Sequence, residues 1–260
     1  MKFATVDRTD ANSVEVRNQV IEACEKHGWK YDLDRPEIVI CIGGDGTFLR
    51  AIHQYEHILD LIQFVGLHTG TLGFLTDYSC DEFERFLYDL LHNEPQLEQS
   101  PLLKITLEYK NGNKKNVYSF NECRIESSIR TLNLDLFIDN EFFEHTTGSG
   151  ICVSTQAGST AVNRALQGAV IDSGLNVIQL CEILPIAHRN HHSLRNPYIM
   201  KSDRELRVEC ENLEAAFLYY DYLMEDLRNV SCIYISTSQK KVRFARFRPY
   251  SYLKRLKHLY

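Results

Sequence analysis

The residues best suited to chemistry lie in the stretch IVICIGGDGTFLRA, residues 38–51 of a 260-residue chain. Here one carboxylate, Asp45, sits among Gly43, Gly44 and Gly46. Glycines let the backbone adopt positive φ and let a ligand approach the main chain closely. The segment that follows, from Thr47, has helix-like content, and the first amides of a helix favour phosphate. Asp45 is the only side chain of the turn that can act as a base, so the combination points to a reaction on a nucleotide. The plainer alternative is a tight strand-to-helix turn in which Asp serves as a cap. Neither Gly-x-x-x-x-Gly-Lys-Ser/Thr nor Gly-x-Gly-x-x-Gly occurs, so any nucleotide chemistry uses another layout.

Three further stretches carry polar groups suited to a ligand. Asn121-Glu122 places an amide, able to read a base edge, beside a carboxylate, able to take a ribose hydroxyl; an ordinary polar pair at a strand end is the alternative. Residues 148–161, GSGICVSTQAGSTA, read as a strand, a small-residue turn and a helix start, rich in hydroxyls and amides. The alternative there is a plain helix capped near Ser159 or Thr160. Residues 184–192, LPIAHRNHH, hold three histidines at no metal-ligand spacing and without a carboxylate, which favours a basic surface loop.

The elements that must position these groups change character near Pro101. Before it, strands at Lys2–Val6, Glu37–Ile42 and Ile62–Leu67 alternate with helical stretches at Asp10–His27, 47–55 and Cys80–His92. That order predicts a parallel sheet covered by helices. After it, short alternating segments (Leu102–Tyr109, Val117–Ser127, Leu132–Ile138, Glu141–His145, Leu206–Cys210, Ala216–Tyr220, Ser231–Thr237 and Lys241–Phe247) predict an antiparallel β-rich domain. Lys110-Asn111-Gly112-Asn113 gives a hairpin turn, and one helix is expected over Ser159–Gly168. The expected domains are therefore 1–100 (Rossmann-like), 101–238 (β-rich) and a C-terminal segment, 239–260, packing back on the first.

Composition sets the class. The chain is 44% hydrophobic and 25% charged, as in an ordinary soluble globular protein. No apolar run approaches the ~18–20 residues that span a bilayer. The N-terminus reaches a charge too early for a signal peptide, so no membrane association and a cytoplasmic setting are expected. Eight cysteines without a Cys-x-x-Cys pair predict reduced, buried thiols. Residues 239–260 hold eight cations and no acid, so the rest carries −14 against a total of −6. Cations packed against the acidic remainder, or against an anionic ligand, fit this better than nucleic-acid contact.

Taken together, these residues resemble the NAD kinases, which make NADP from NAD with ATP or, in some members, polyphosphate. The resemblance runs through Gly43–Leu49, Gly66-x-x-x-Gly70-x-Leu72-Gly73-Phe74, Asn121-Glu122, Ser154-Thr155 and Gly158-Ser159-Thr160-Ala161. The Phe244-Ala245-Arg246-Phe247-Arg248 tail is similar to that of Gram-positive bacterial members. It implies a Rossmann-like N-terminal domain, an antiparallel β-sandwich-like C-terminal domain, and NAD in the cleft between them. By position, Asp45 is the base that activates the adenosine-ribose 2′-hydroxyl. Gly44, Asp45, Gly46, Phe74, Asn121, Glu122, Ser149, Thr160, Ala161, Val162, Ala165 and Leu184 would hold the dinucleotide. Mg²⁺ or a similar cation would accompany ATP, and a homodimer or homotetramer is expected.

Departures from the family pattern gather near the expected pocket: Thr147 for Arg, Ser149 for Asp, Gln156 for Pro, Val162 for Tyr and Tyr222 for His. They leave room for a non-catalytic dinucleotide-binding paralogue. A lipid kinase shares the Gly-Gly-Asp-Gly-Thr turn but not Asn121-Glu122.

Overall fold

The structure is a computed structural model that describes residues 1–186 and 193–257. Of the histidine-rich stretch, residues 187–192 lie outside the described residues. The chain divides into two units, Met1–Ser100 with Lys240–Tyr260, and Pro101–Gln239.

The first unit runs β1 (Lys2–Asp7), α1 (Ala11–Lys26), β2 (Lys30–Tyr31), β3 (Ile38–Ile42), α2 (Asp45–Gln54), β4 (Gln63–His68), β5 (Tyr78–Ser79) and α3 (Phe83–His92). Strands β2-β1-β3-β4 lie side by side in that order, all parallel, and β5 pairs with β4. All five residues of β3 are buried, because helices cover both faces of a parallel sheet. Val16, Val20 and Cys24 of α1, with Phe86 and Leu90 of α3, pack on Ile38, Ile40 and Ile42. Phe48 of α2 instead meets Phe64, with ring centroids 6.2 Å apart. The Asp10 carboxylate caps α1 by accepting from Ser13 N at 3.1 Å. In this order the chain leaves β1 towards β2 and leaves β3 in the opposite direction. The switch between β1 and β3 is where sheets of this kind open a crevice at the strands' carboxyl ends.

The second unit is a two-layer sandwich. Its strands are β6 (Gln96–Tyr109), β7 (Lys114–Ser119), β8 (Glu122–Glu126), β9 (Leu132–Ile138), β10 (Glu141–Gly148) and β11 (Gly150–Thr155). After a short helix, α4 (Val162–Ala165), come β12 (Val177–Ile183), β13 (Tyr198–Lys201), β14 (Leu206–Cys210), β15 (Phe217–Tyr220), β16 (Leu223–Asp226) and β17 (Val230–Arg246). One layer is β7-β6-β17-β14-β9-β10 and the other β13-β12-β11-β8-β15-β16. Alternate residues of both layers, among them Ile105, Leu134, Val208 and Ile233 from one and Ile125, Val153, Leu180 and Leu218 from the other, form the core between them. The end of β17 belongs to the first unit, where Phe244 pairs with Phe64 in parallel, followed by α5 (Tyr252–Leu256).

Two local expectations change. The helix expected over Ser159–Gly168 is a 3₁₀ turn, Ala157–Thr160, and then the four-residue α4. Ala161, at ψ −135°, separates the two, and the Asn163 amide takes the backbone carbonyls of Ser159 and Ala169 that a longer helix would redirect. The Val117–Ser127 segment breaks at Phe120-Asn121, whose amides are drawn out of the ladder by the Asp221 carboxylate, at 2.8 and 2.7 Å.

The eight cysteines are free thiols. No helix among the described residues is long and apolar enough to cross a membrane.

Candidate functional site

The switch between β1 and β3 is where the glycine turn sits. Gly43 takes φ +152°, and a Cβ there would come within 2.3 Å of Thr47 Oγ1, so this position admits only glycine. Gly44 precedes α2 without a side-chain cap, and Asp45 is the first helical residue. The Asp45 carboxylate reaches across to the turn after β4. Its Oδ2 accepts from Phe74 N at 2.8 Å and its Oδ1 from Leu75 N at 3.0 Å. A Cβ on Gly73 would lie 2.2 Å from Oδ1, so the missing side chain at 73 is what lets the carboxylate dock. Gly44, Asp45, Gly46 and Phe74 are thereby gathered in one place. Each carboxylate oxygen keeps lone-pair capacity for a hydroxyl proton. A Cβ on Gly44 or Gly46 would meet nothing within 4 Å, so the turn is open on that side.

Arg8 is a residue that sequence reasoning missed. Its amide donates to Ile42 O at 2.9 Å, and its guanidinium lies 3.7 Å from where a Gly70 Cβ would sit. Its side chain is 63% exposed and makes a loose pair, 3.5 Å, with Asp10, which leaves the cation available to an anion at the glycine turn. The available signal was its place directly after the first strand.

In the second unit, Asn121 and Glu122 stand where β8 begins. Asp221, with φ +50°, accepts from Ser119 Oγ at 2.9 Å and from the amides of Phe120 and Asn121. The Asn121 carbonyl accepts from Thr155 N at 2.8 Å. A Cβ on Gly158 would lie 2.0 Å from that carbonyl oxygen. This packs the 3₁₀ turn holding Ser159 and Thr160 onto the Asn121 backbone. Sequence reasoning passed over Asp221 as an organiser of this turn, because its partners lie about a hundred residues earlier in the chain.

Glu122 is 3% exposed. Burial and then the Asp221 charge push its pKa up to about 7, against the opposing effects of Arg124 and of a bond from the Val162 amide. Its Oε2 is buried without a partner, as is the Ser154 Oγ, and Ser154 lies opposite Glu122 in the β8–β11 ladder. Two such orphaned acceptors beside one another are what a bound hydroxyl or amide would satisfy.

Thr160, Ala161 and Val162 follow Ser159 directly. Ser159 Oγ accepts from Ile171 N at 3.1 Å, and Thr160 Oγ1 donates to Ala157 O at 3.4 Å. Ala165 and Leu184 line one cavity of about 320 Å³, with Glu182 and Arg195 as its charged groups. Leu184 takes φ +47° and is exposed. Ser149 joins β10 to β11 through backbone bonds to Ile183 and Ser127, both 2.9 Å. Of the departures, Thr147 bonds Asn133 Oδ1 at 3.0 Å, Gln156 bonds Ile171 O at 3.1 Å, and Tyr222 is exposed.

Known proteins resemble this chain in sequence and in fold. The model of the ATP-NAD kinase N-terminal domain matches residues 6–95, and that of the ATP-NAD kinase C-terminal domain matches residues 121–247. An NAD kinase of Lysinibacillus sphaericus is 36% identical over 256 residues, covering 98% of this chain and 97% of the relative. The NAD kinase of Staphylococcus epidermidis is 34% identical over 258 residues, with 98% and 96% covered. Among solved structures, yeast NADH kinase complexed with NADH superposes with a TM-score of 0.86 at 18% identity, covering 100% of this chain and 87% of that one. An NAD kinase from Archaeoglobus fulgidus in complex with ATP gives 0.77 at 22% identity, with 100% and 97% covered. At those identities the two structures establish the shared fold.

Proposed function

The chain belongs to the ATP-NAD kinase family, whose members phosphorylate NAD, and from that premise we propose how its residues divide the work. Asp45 is the base. Its carboxylate accepts the proton of the adenosine-ribose 2′-hydroxyl as that oxygen bonds to the γ-phosphorus of ATP, and the bond from phosphorus to the β-bridging oxygen breaks to release ADP. The observation that carries this reading is the anchoring of Asp45 by two backbone amides at the carboxyl end of a parallel strand. The carboxylate is thereby oriented before substrate arrives, and the open face of Gly44 and Gly46 is free for phosphate. Arg8 supplies a cation to the same turn.

The dinucleotide is taken by Asn121, Glu122 and the Thr160–Ala165 segment, with Ser149 and Leu184 at its margins. What supports this is the pair of orphaned acceptors on Glu122 and Ser154, suited to ribose hydroxyls, and the cavity bounded by Ala165 and Leu184. No group of three or more His, Cys, Asp or Glu side chains among the described residues is placed to hold a metal ion. Mg²⁺ or a similar cation would accompany ATP and neutralise charge on its phosphates. The reading extends to a homo-oligomer in the cytoplasm.

The test is NADP formation from NAD, ATP and Mg²⁺, followed with an NADP-specific dehydrogenase. Turnover supports the reading; no turnover at millimolar NAD by the folded protein would overturn it.

A further inference from the structure

The turn that holds Asp45 is itself held by the C-terminal residues of the same unit. Phe74 and Leu75 spend their amides on the Asp45 carboxylate, and their carbonyls are taken as well. The Tyr250 hydroxyl donates to Phe74 O at 3.0 Å, and Arg246 Nη1 donates to Leu75 O at 3.3 Å. Tyr252, the first residue of α5, lies against the Phe74 ring with centroids 5.6 Å apart.

The Tyr250 contact differs from the others in what it can transmit. Phe74 C=O and Leu75 N–H belong to one peptide group, and in a trans peptide they point to opposite sides. Tyr250 and Asp45 therefore bond the two ends of a single amide: Tyr250 O–H donates to Phe74 C=O, and Leu75 N–H donates to Asp45 Oδ1. An amide whose carbonyl accepts a hydrogen bond is polarised and donates more strongly through its N–H. A carbonyl can only accept, so the phenol must keep its proton. Burial pushes Tyr250 up to about 12, against the Arg246 guanidinium, so it is a donor at neutral pH. The ring is fixed in turn, with Arg246 over it at 4.3 Å and Arg255 at 5.6 Å.

We propose that Tyr250 is a positioning residue for the phosphoryl transfer: its hydroxyl, acting through the Phe74–Leu75 peptide, holds the Asp45 carboxylate in the orientation that receives the ribose proton. The inference rests on the assignment of Asp45 as base and adds to it a side chain from the far end of the chain. Because the bond is made to the backbone that carries Asp45's partner, its loss falls on turnover and not on affinity for NAD.

The test is steady-state kinetics of NADP formation by the whole protein, wild type beside Tyr250→Phe. The substitution keeps the ring and its packing, and rates are read well below the variant's Tm so that lost stability does not enter. The kcat is expected to fall roughly tenfold, with KM for NAD within about twofold of the wild type. In a Gly73→Ala background the added methyl group already displaces the carboxylate. There the same substitution is expected to cost less than about threefold, since two changes acting on one orientation are not additive. Wild-type kcat in Tyr250→Phe, a loss confined to KM, or an undiminished tenfold loss in the Gly73→Ala background overturns this inference and leaves the Asp45 reading standing. Absence of turnover by the folded wild type overturns both.

Discussion

The two polar centres differ in how far the protein satisfies them. In the α/β unit, each oxygen of Asp45 accepts a backbone amide, from Phe74 and Leu75. In the β-sandwich, Glu122 and Ser154 each keep a buried acceptor without a partner. The first centre is complete without a ligand and spends its hydrogen bonds on orientation. The second carries a desolvation cost of about 1–3 kcal/mol for each unmade bond, which a ligand can relieve. In the division of work proposed above, catalytic geometry is built in advance on one unit, and part of the binding energy is held in reserve on the other.

Substitutions that disturb the completed centre should act most strongly, and on turnover. Asp45→Asn removes the base and turns an N–H₂ towards a backbone N–H; kcat in the coupled assay is expected to fall at least ~10³-fold. Gly73→Ala leaves the carboxylate chemically intact but drives a methyl group into it. A fall of roughly 10²-fold in kcat with a nearly unchanged KM for NAD would show that orientation, not charge alone, is what the turn supplies.

Substitutions in the second centre should act on binding. Asp221→Asn weakens the contacts that hold the Phe120-Asn121 break. The KM for NAD is expected to rise about tenfold while kcat changes little. A change confined to kcat would contradict the division drawn here.

A further effect, on stability and not on turnover, is one of pH. Glu122 binds its proton more tightly folded, at about 7, than unfolded, near 4.5. Its contribution is fully present below the unfolded pKa and is lost as pH rises through about 7, by ~3 kcal/mol at most. Glu144, also raised to about 7 by burial and by Glu182, slopes the same way. Urea unfolding at pH 5 and pH 8 should therefore show a steeper loss for the wild type than for Glu122→Gln. The difference between the two slopes isolates Glu122 from Glu144. Parallel slopes would mean that Glu122 is not desolvated.

The parallel order of the first unit could be read from the spacing of its apolar runs, because a strand covered on both faces must be continuously hydrophobic. The turn at Gly43–Gly46 could be read as well, since a strand running into glycines and then a helix has few other solutions. The antiparallel texture after Pro101 and the hairpin at 110–113 showed for the same local reason. The shortness of α4 did not show: residues 159–168 have helix-forming content, but Ala161 at ψ −135° and Gln167 at φ +62° bound the helix on either side, and sequence pattern does not locate such conformations.

What the sequence determined by itself is therefore the family, with the kind of chemistry that goes with it, and the elements on which the glycine turn is carried. Tertiary structure decided which groups complete the site. Asp45 meets amides 29 and 30 residues away, Asp221 gathers amides about a hundred residues away, and Arg246 finds Asp77 across 169 residues. Periodicity is set by the backbone repeat and is local. Partnership between side chains depends on strand order and register, which exist only once the chain has folded.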